Sequence, residues 1–242
     1  LDFSATGAVD VINGWCSDKT NKRIPKVLET IGSNARLFLI NALYFKGAWV
    51  TKFDKKNTTK EDFTAIDGKK TSVEMMKQEA EFPYMSTEDF QMLQLPYGNE
   101  AFSMCLILPH SDKNIEDVIS QLNADNWQKW YGWLGTRTVN IKLPRFKQEY
   151  SKVLNDDLKD MGMVLPFAAE ADLTNIASGL MISLVKQDTF IEVNEEGTEA
   201  AAVTVVGMFE SAGPEPPATP QFHANRPFIY LIKEKSTGAI LF

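Results

Sequence analysis

One stretch near the C-terminal end constrains the fold of this chain more than any other. Small residues that are compatible with β-structure run through residues 195–204 behind a single glycine, Gly197. They follow a strand-like run at residues 189–193, and a polar, proline-containing segment then continues to Pro220. Loops of this length inside a compact domain are usually functional or disordered, and this one is too regularly patterned for disorder. The stretch is therefore suited to be an exposed loop or a strand.

The composition restricts the class of partner and the number of domains. The chain has 242 residues, 44% of them hydrophobic, which is enough for a sizeable core. Its net charge of −7 argues against nucleic acid or an anionic membrane as the main partner, because basic surfaces bind both. The longest apolar run, residues 37–45, contains Asn41 and is too short to cross a bilayer. No linker or internal repeat is visible, so we expect one domain over residues 1–242.

Hydrophobic periodicity predicts a mixed α+β chain. A helix is predicted from Ala8 towards Leu28, with a break between Asp18 and Pro25. A second helix is predicted at residues 115–133, where three tryptophans extend its apolar side, and a third at 153–161. Strands are predicted at residues 36–53, 63–66, 71–73, 90–95, 101–108, 139–143, 180–196, 227–232 and 239–242. We expect the first strand to be buried on both faces and Asp67-Gly68 to form a hairpin turn.

The residues of common catalytic and metal sites are scarce. Nucleophilic catalysis by Ser or Cys usually needs a histidine base held by a third group, and neither His110 nor His223 lies in such a motif. Two separated histidines and two separated cysteines, Cys16 and Cys105, have no zinc spacing. We therefore predict no metal site and no cofactor, and interpret both cysteines as free, small hydrophobic residues. A hydrolase using His110 or His223 is an alternative that predicts loss of turnover when the histidine is replaced.

Several separate motifs resemble those of the serpin family, and they follow the family's order over essentially the whole chain. Residues 41–49 are similar to the third strand of sheet A, and residues 67–76 resemble the sheet-C hairpin region. Residues 195–202 resemble the family's hinge, and 225–228 read Asn-Arg-Pro-Phe. Further matches lie at residues 95–97, 106–109, 143–146, 158–162 and 171–173. The resemblance implies sheets A, B and C with surrounding helices and an exposed reactive-centre loop at residues 195–220.

The resemblance also implies that these residues are the C-terminal portion of a serpin domain. Compared with the family, they lack the N-terminal helical region and the first strands, and they stop before the last strand of sheet B is complete. We expect the 242 residues alone not to fold, and the full-length protein to be a monomer. Size-exclusion chromatography and a thermal melt test the first expectation.

The function that the resemblance implies is suicide inhibition of a protease, not enzyme activity. The target, a serine protease or alternatively a cysteine protease, would attack the loop and form an acyl-enzyme. The cleaved loop would then insert into sheet A as a new strand and trap the protease. The family also implies an extracellular or cell-surface location, with an intracellular one as the alternative. A non-inhibitory serpin acting as carrier or chaperone is the second functional hypothesis, and its sign would be a hinge unfit for insertion.

The hinge has the chemistry that insertion requires. It consists of Glu195, Glu196, Gly197, Thr198, Glu199, Ala200, Ala201, Ala202, Val203 and Thr204. Alternate residues of a strand face opposite sides, so one set, Thr198, Ala200, Ala202 and Thr204, would turn inwards. None of these four is bulky or charged, and we expect Thr198→Arg to convert an inhibitor into a substrate. Gly197 provides backbone freedom, and we interpret the two glutamates as solvating the mouth of the loop.

Two further site predictions depend on the family's spacing. It places the reactive bond at Ser211–Ala212, which suits an elastase-like protease. Met208 and Phe209 are alternatives, and Phe209 suits a chymotrypsin-like protease. The strand-opening region is matched by the set Asn41, Trp49 and Gln187. The family's usual histidine is replaced here by Gln187, so the pH sensitivity attributed to that histidine is not carried over.

Overall fold

The computed structural model describes residues 1–198 and 218–242. The helices in these ranges are α1 (Ala8–Lys19), α2 (Ile115–Ser120), α3 (Ala124–Gly132) and α4 (Asn155–Asp160). The strands are β1 (Leu37–Tyr44), β2 (Gly47–Ala48), β3 (Thr59–Thr64), β4 (Lys70–Ser86), β5 (Phe90–Tyr97), β6 (Phe102–Pro109), β7 (Gly135–Pro144), β8 (Phe146–Val153), β9 (Ile182–Val193), β10 (Gly197–Thr198), β11 (Gln221–His223) and β12 (Ile229–Glu234). Two short 3₁₀ helices lie at Lys55–Asn57 and Leu165–Phe167. The predicted α+β class is confirmed.

The chain divides into two compact units. The first unit contains residues 1–45 and 147–191, and the second contains residues 46–146 together with the described residues of 192–242. In the first unit a three-stranded sheet has the order β1-β9-β8, and β1 runs parallel to β9. The core of this unit contains Cys16 of α1, Phe190 of β9 and three residues after α1, Ile24, Val27 and Leu28. Apolar residues after α1 therefore complete the core without extending the helix.

Two predictions in the first unit need correction. The helix predicted towards Leu28 ends at Lys19, near the predicted break, and the chain does not return to a helix before β1. The strand predicted at residues 36–53 ends at Tyr44 as β1, and no residue of β1 is fully buried. Burial of this strand on both faces was therefore wrong. Only one face of β1 packs against the core, through Phe38, Ile40, Ala42 and Tyr44, whereas Leu39 and Asn41 on the other face are exposed.

The second unit is built on a seven-stranded sheet. Its order is β11-β7-β4-β5-β6-β12, and β3 also pairs with β4. The predicted Asp67-Gly68 hairpin is confirmed, because β3 and β4 are antiparallel and Gly68 has φ of +80° between them. The predicted strands at 90–95 and 101–108 are β5 and β6, which also pair antiparallel. A separate two-stranded sheet joins β10 to β2.

The helix predicted at residues 115–133 is two helices. The break is stabilised by Asn123, whose side chain accepts a hydrogen bond from the Asn126 N–H at 2.9 Å and caps α3. Trp130 is 5% exposed in the core against β5 and β6, whereas Trp133 is 60% exposed. The tryptophan spacing thus marks an apolar face of α3 that ends before Trp133.

The other predicted elements are present with one exception, whereas β8 and β11 were not predicted. Residues 139–143 lie in β7, residues 227–232 overlap β12, and the helix predicted at 153–161 is α4. Residues 239–242 form only an isolated bridge between Ile240 and Lys233. Both cysteines are free and buried, as predicted, and burial raises the pKa of the Cys105 thiol to about 12.

Candidate functional site

The chain reverses direction immediately after β9. The Asn194 N–H donates to the Gly197 carbonyl at 2.9 Å, and the Gly197 N–H donates to the Asn194 carbonyl at 3.1 Å. The Asn194 side chain also accepts a hydrogen bond from the Glu196 N–H at 2.9 Å. These three bonds form a tight turn, so the chain leaves Gly197 running back along the end of β9.

The backbone of residues 195–198 is held by the segment around β2. Gly197 pairs with Ala48 and Thr198 with Gly47 in an antiparallel ladder. The Glu196 carbonyl accepts from the Trp49 N–H at 2.9 Å, and the Glu195 carbonyl accepts from the Phe53 N–H at 3.0 Å. The first four residues of the predicted hinge are therefore anchored in the second unit by their main chain.

Gly197 is required by space as well as by conformation. A Cβ atom at this position would lie 2.3 Å from the Gly47 carbonyl oxygen, 2.7 Å from the Ala48 Cα and 2.7 Å from the Trp49 nitrogen. These are backbone atoms, which cannot rotate away as a side chain could. Gly197 also has φ of +129°, a value that L residues with a side chain rarely adopt. The sequence indicated only the second requirement.

The Thr198 side chain is fully buried. Its hydroxyl lies 3.0 Å from the Tyr97 hydroxyl, and burial raises the pKa of Tyr97. Tyr97 stacks on Trp49 with ring centroids 4.3 Å apart, and the Trp49 Nε1–H donates to the Asn194 carbonyl at 2.9 Å. Thr198 thus lies against Tyr97, and Trp49, which stacks on Tyr97, also holds the turn after β9 through Asn194.

Glu195 is the anchor's buried charge. Its side chain is 1% exposed. Arg145 Nε donates to both carboxylate oxygens at 2.8 Å, Arg145 Nη2 lies 2.6 Å from Oε1, and the Thr58 hydroxyl donates to Oε1 at 2.5 Å. Burial raises the pKa of this carboxyl, but the bonds from Arg145 and Thr58 outweigh it and the pKa is lowered. Glu195 does not solvate the loop mouth, so that interpretation is wrong for this residue.

Glu196 lies nearer the surface. Its carboxylate is 3.0 Å from Lys52 Nζ and 3.2 Å from Lys55 Nζ, and the side chain is 24% exposed. The hydrogen bonds from Lys52 and Lys55 lower the pKa of Glu196. The two adjacent glutamates therefore have different roles: Glu195 is buried against Arg145, and Glu196 pairs with the half-buried Lys52 and the exposed Lys55.

The members of the predicted strand-opening region fall in different units. In the first unit, Asn41 of β1 and Gln187 of β9 are direct register partners in the parallel ladder. Asn41 is exposed and Gln187 is half-buried. In the second unit, Trp49 contacts the anchor of the hinge as described above. The structure thus brings Asn41 and Gln187 opposite each other and places Trp49 beside Asn194.

Part of the predicted site lies outside the described residues. This part comprises Glu199, Ala200, Ala201, Ala202, Val203 and Thr204 of the hinge, and Met208, Phe209, Ser211 and Ala212 of the candidate reactive bonds. Two contributors to the anchor, Arg145 and Thr58, were missed by sequence reasoning. Arg145 belongs to a matched motif, residues 143–146, but nothing local to that motif indicates a partner 50 residues away.

The histidines do not form a catalytic arrangement. His110 Nε2 lies 3.0 Å from the Thr87 carbonyl and 3.4 Å from the Ser86 hydroxyl. A nitrogen that donates to a carbonyl cannot also take a proton from Ser86, so this pair does not support the hydrolase alternative. His223 contacts the Asn140 side chain at 2.9 Å, and burial lowers its pKa.

Neither a metal-binding cluster nor a membrane-spanning helix is present in the described part of the chain. Across residues 1–198 and 218–242, no three His, Cys, Asp or Glu side chains are grouped in a way that could hold a metal ion. The helices of the same residues are all too short or too polar to cross a membrane.

Comparison with known proteins places the chain in a family. The model of the serpin family, described as serine protease inhibitor, matches residues 1–242. The chain therefore belongs to the serpin family. Human Serpin B3 is 39% identical over 240 residues, covering 96% of this chain and 61% of its own length. A protein named serine protease inhibitor from Cyanea capillata is 36% identical over 240 residues, covering 96% of this chain and 60% of its own length.

A solved structure agrees with the family assignment. The crystal structure of human thyroxine-binding globulin has a TM-score of 0.87 and 25% identity, covering all of this chain and 64% of that protein. The predicted serpin fold is confirmed, and residues 41–44 of the predicted sheet-A strand lie in β1 of the three-stranded sheet. The chain spans about three fifths of the length of the relatives that it matches.

Proposed function

We propose that the full-length protein is a suicide inhibitor of a serine endopeptidase with elastase-like or chymotrypsin-like specificity. The protease would attack the loop as a substrate and form an acyl-enzyme. Insertion of the cleaved loop into the three-stranded sheet would then trap the acyl-enzyme before water releases it. The name of the family and the name of the Cyanea capillata relative support inhibition as the activity.

The proposal is supported by the hinge itself: its first four residues are anchored, and the residues that follow are small and uncharged at alternate positions. Residues 195–198 are held by the β10–β2 ladder, the Arg145 ion pair and the Tyr97 hydroxyl. The sequence that follows has only alanine and threonine at the positions in phase with Thr198, which are Ala200, Ala202 and Thr204. Burying these side chains in a sheet leaves no charge without a partner.

The turn after β9 supports insertion by its direction. Because the chain doubles back at Asn194–Gly197, an extended continuation would run antiparallel to β9. Antiparallel neighbours need only a tight turn between them, whereas parallel neighbours need a long crossover. A loop that adds to this sheet beside β9 therefore needs no new connection.

The test compares arginine substitutions at two neighbouring positions whose side chains would lie on opposite faces of the inserted strand. After insertion, the guanidinium of Ala202→Arg would turn inwards, whereas that of Ala201→Arg would face outwards. We expect Ala202→Arg to be cleaved without forming a stable complex. The number of inhibitor molecules consumed per protease molecule should rise about tenfold or more, a factor that corresponds to about 1.4 kcal/mol. Ala201→Arg should form the complex as the wild type does. Equal stoichiometry for the two variants would refute insertion.

This pair is a sharper test than Thr198→Arg. Thr198 is already fully buried against Tyr97, so arginine at this position would disturb the anchor even in a protein that never inserts its loop. The expectation that Thr198→Arg yields a substrate stays a prediction, but a positive result has two explanations. Ala201 and Ala202 follow the anchor and avoid this ambiguity.

The reactive bond is proposed at Ser211–Ala212, with Met208 and Phe209 as alternatives. The full-length protein should be incubated with a panel of serine and cysteine proteases and the released C-terminal peptide sequenced. A peptide that begins at Ala212 supports the proposed bond and an elastase-like target. A peptide that begins after Phe209 assigns the alternative bond and a chymotrypsin-like target.

Inhibition by the secreted form, recovered from the culture medium of expressing cells, would support the proposed extracellular location.

The second candidate is a non-inhibitory carrier. The observation that favours it is the fold similarity to thyroxine-binding globulin, which is seen in complex with thyroxine. The small, uncharged residues after the anchor favour inhibition instead. Absence of any protease complex across the whole panel, with the loop cleaved each time as a simple substrate, would support the carrier.

A further inference from the structure

A cavity of about 610 Å³ lies in the first unit, where β1 and β9 begin. It is bounded by residues 32–35, which precede β1, by α4, and by residues 181–184 at the start of β9. Phe38 and Leu184 line it, are register partners in the β1–β9 ladder, and both pack against the core of the unit. The cavity is therefore continuous with the hydrophobic core on one side.

The other apolar lining comes from two further elements. Phe167 of the second 3₁₀ helix and Ile182 of β9 both line the cavity, and Ile182 is buried. The Phe38 ring also stacks on Phe3, with ring centroids 4.7 Å apart, which restricts its movement. The cavity thus offers aromatic and aliphatic side chains to the apolar body of a ligand.

The side chain of Asn155 holds α4 against β9. Its Nδ2 donates to the Ser183 carbonyl at 3.1 Å, and its Oδ1 accepts from the Val185 N–H at 2.8 Å. Residues four apart lie on the same face of a helix, so Lys159 follows Asn155 on the face of α4 that is turned towards β9. These two bonds to the β9 backbone therefore fix the helix that brings Lys159 to the cavity.

Among the described residues that line the cavity, Lys159 is the only charged one. Its Nζ lies 5.4 Å from the centroid of the Phe167 ring, so the ammonium group is next to the apolar wall. The side chain is 41% exposed, and it lies 3.5 Å from Asp156, which is 93% exposed. Such exposed ion pairs contribute little to stability. Because an ammonium group has three N–H donors, Lys159 can still donate to a second anion.

We propose that this cavity binds a small monocarboxylate with an apolar body, whose carboxylate accepts a hydrogen bond from Lys159 Nζ. The volume lies within the about 300–1,000 Å³ range of ligand pockets. A carboxylate matches the single ammonium group, whereas a phosphate group would bring close to two negative charges. Ser33 and Asn34 also line the cavity and carry side-chain donors that suit a carboxylate oxygen.

Such a ligand would connect three parts of the first unit. Residues 32–35, α4 and the start of β9 meet only around the cavity, so a molecule inside contacts all three at once. Ligands that bind only the folded state raise its stability with their concentration. Occupancy should therefore increase the melting temperature without any protease present, independently of the proposed inhibition.

The test uses 3-phenylpropionate as the carboxylate and 3-phenylpropionamide as its neutral counterpart of similar shape. Binding to the full-length protein is measured by isothermal titration calorimetry at neutral pH and constant ionic strength. We expect saturable binding of the carboxylate, about fivefold or more tighter than that of the amide, because a charge-assisted hydrogen bond is lost in the amide.

Two lysine variants separate a specific contact from a general effect of charge. Lys159→Gln should weaken binding of the carboxylate about fivefold and leave binding of the amide within about twofold. Lys152→Gln is the matched control, since Lys152 is similarly exposed, pairs with Asp157 of α4 and does not line the cavity. It removes the same charge and should leave both dissociation constants within about twofold. Both lysines are exposed, so both variants should fold.

Three results would overturn the proposal: no saturable binding of 3-phenylpropionate, equal affinity for the amide, or equal loss in the two lysine variants. A crystal soaked with 3-phenylpropionate provides a measurement that needs no variant. Density for its carboxylate within hydrogen-bond distance of Lys159 Nζ supports the site, and density only elsewhere refutes it.

Discussion

Four consecutive residues hold the start of the loop, and each does so by a different interaction. Glu195 uses an ion pair with Arg145 in which the carboxylate is buried, and Glu196 pairs with the half-buried Lys52 and the exposed Lys55. Gly197 permits contact between two backbones, and Thr198 binds the Tyr97 hydroxyl. Because the interactions differ in kind, single substitutions should weaken the anchor by different physical routes.

Gly197→Ala should be strongly destabilising. The new methyl group would overlap the backbone at Gly47 and Ala48, and alanine would have to adopt φ of +129°. We expect the free energy of unfolding of the full-length protein to fall by about 2–4 kcal/mol, as judged from typical costs of overpacking and backbone strain. A urea titration measures this change.

Two control variants separate the causes of that loss. Gly68→Ala has a positive φ of +80° but open space around the new Cβ, so it measures the cost of conformation alone. Gly135→Ala has neither restriction. If Gly197→Ala costs no more than Gly68→Ala, the close backbone approach is not important.

Glu195→Gln should destabilise the protein in a pH-dependent way. The folded pKa of Glu195 is lowered, so its stabilisation is fully present above the ordinary glutamate range and is lost as pH falls through the folded pKa. We expect a cost of about 1–3 kcal/mol at pH 7, which is the range for hydrogen bonds to charged groups, and a smaller cost below about pH 4. Because Arg145 is 41% exposed, solvent screens the ion pair, and the expected cost is smaller than for a fully buried pair.

Urea titrations of both proteins from pH 3 to pH 8 measure the difference. Glu196→Gln is the matched control, since its carboxylate is 24% exposed against 1% for Glu195 and its partner Lys55 is exposed, so we expect it to cost less than Glu195→Gln. A destabilisation by Glu195→Gln that does not change over this pH range would show that the ion pair is not its cause.

At the scale of elements, asparagine side chains cap the starts of α2 and α3. The break between α2 and α3 depends on Asn123, which caps α3 and orients Trp130 into the core. Asn123→Ala should lower the free energy of unfolding by about 1 kcal/mol, the usual value of an N-cap. Gln128→Ala, on the exposed side of α3, should change it by less than about 0.5 kcal/mol. Equal effects of the two variants in urea titrations would contradict the role of the cap.

At the scale of the whole molecule, the proposed function predicts that cleavage stabilises the protein. A loop cut at the reactive bond and inserted as a strand would add backbone hydrogen bonds and buried apolar surface. We expect the melting temperature of the cleaved full-length protein to rise by about 10 °C or more, equivalent to several kcal/mol. Ala202→Arg, cleaved at the same bond, should show a much smaller rise. Cleavage without any rise in the wild type would contradict insertion.

Local sequence patterns predicted the elements of the fold well. The alternation in residues 139–143 and the Asp67-Gly68 turn each result from interactions between residues that are close in the chain, so a short window contains the necessary information. The errors arose where tertiary position matters, as in β1, whose apolar sequence does not reveal that only one of its faces packs against the core. The break at Asn123 was missed, because the tryptophan spacing extends the predicted helix across it.

By itself, the sequence determined the family and the α+β class, because motif order and strand periodicity are properties of the chain. Only the tertiary structure showed that Gly197 contacts the β2 backbone and that Glu195 is buried against Arg145. These two contacts join residues far apart in sequence, up to about 150 positions. Such contacts depend on how separate elements pack, and no local pattern specifies which distant side chain will arrive at a given place.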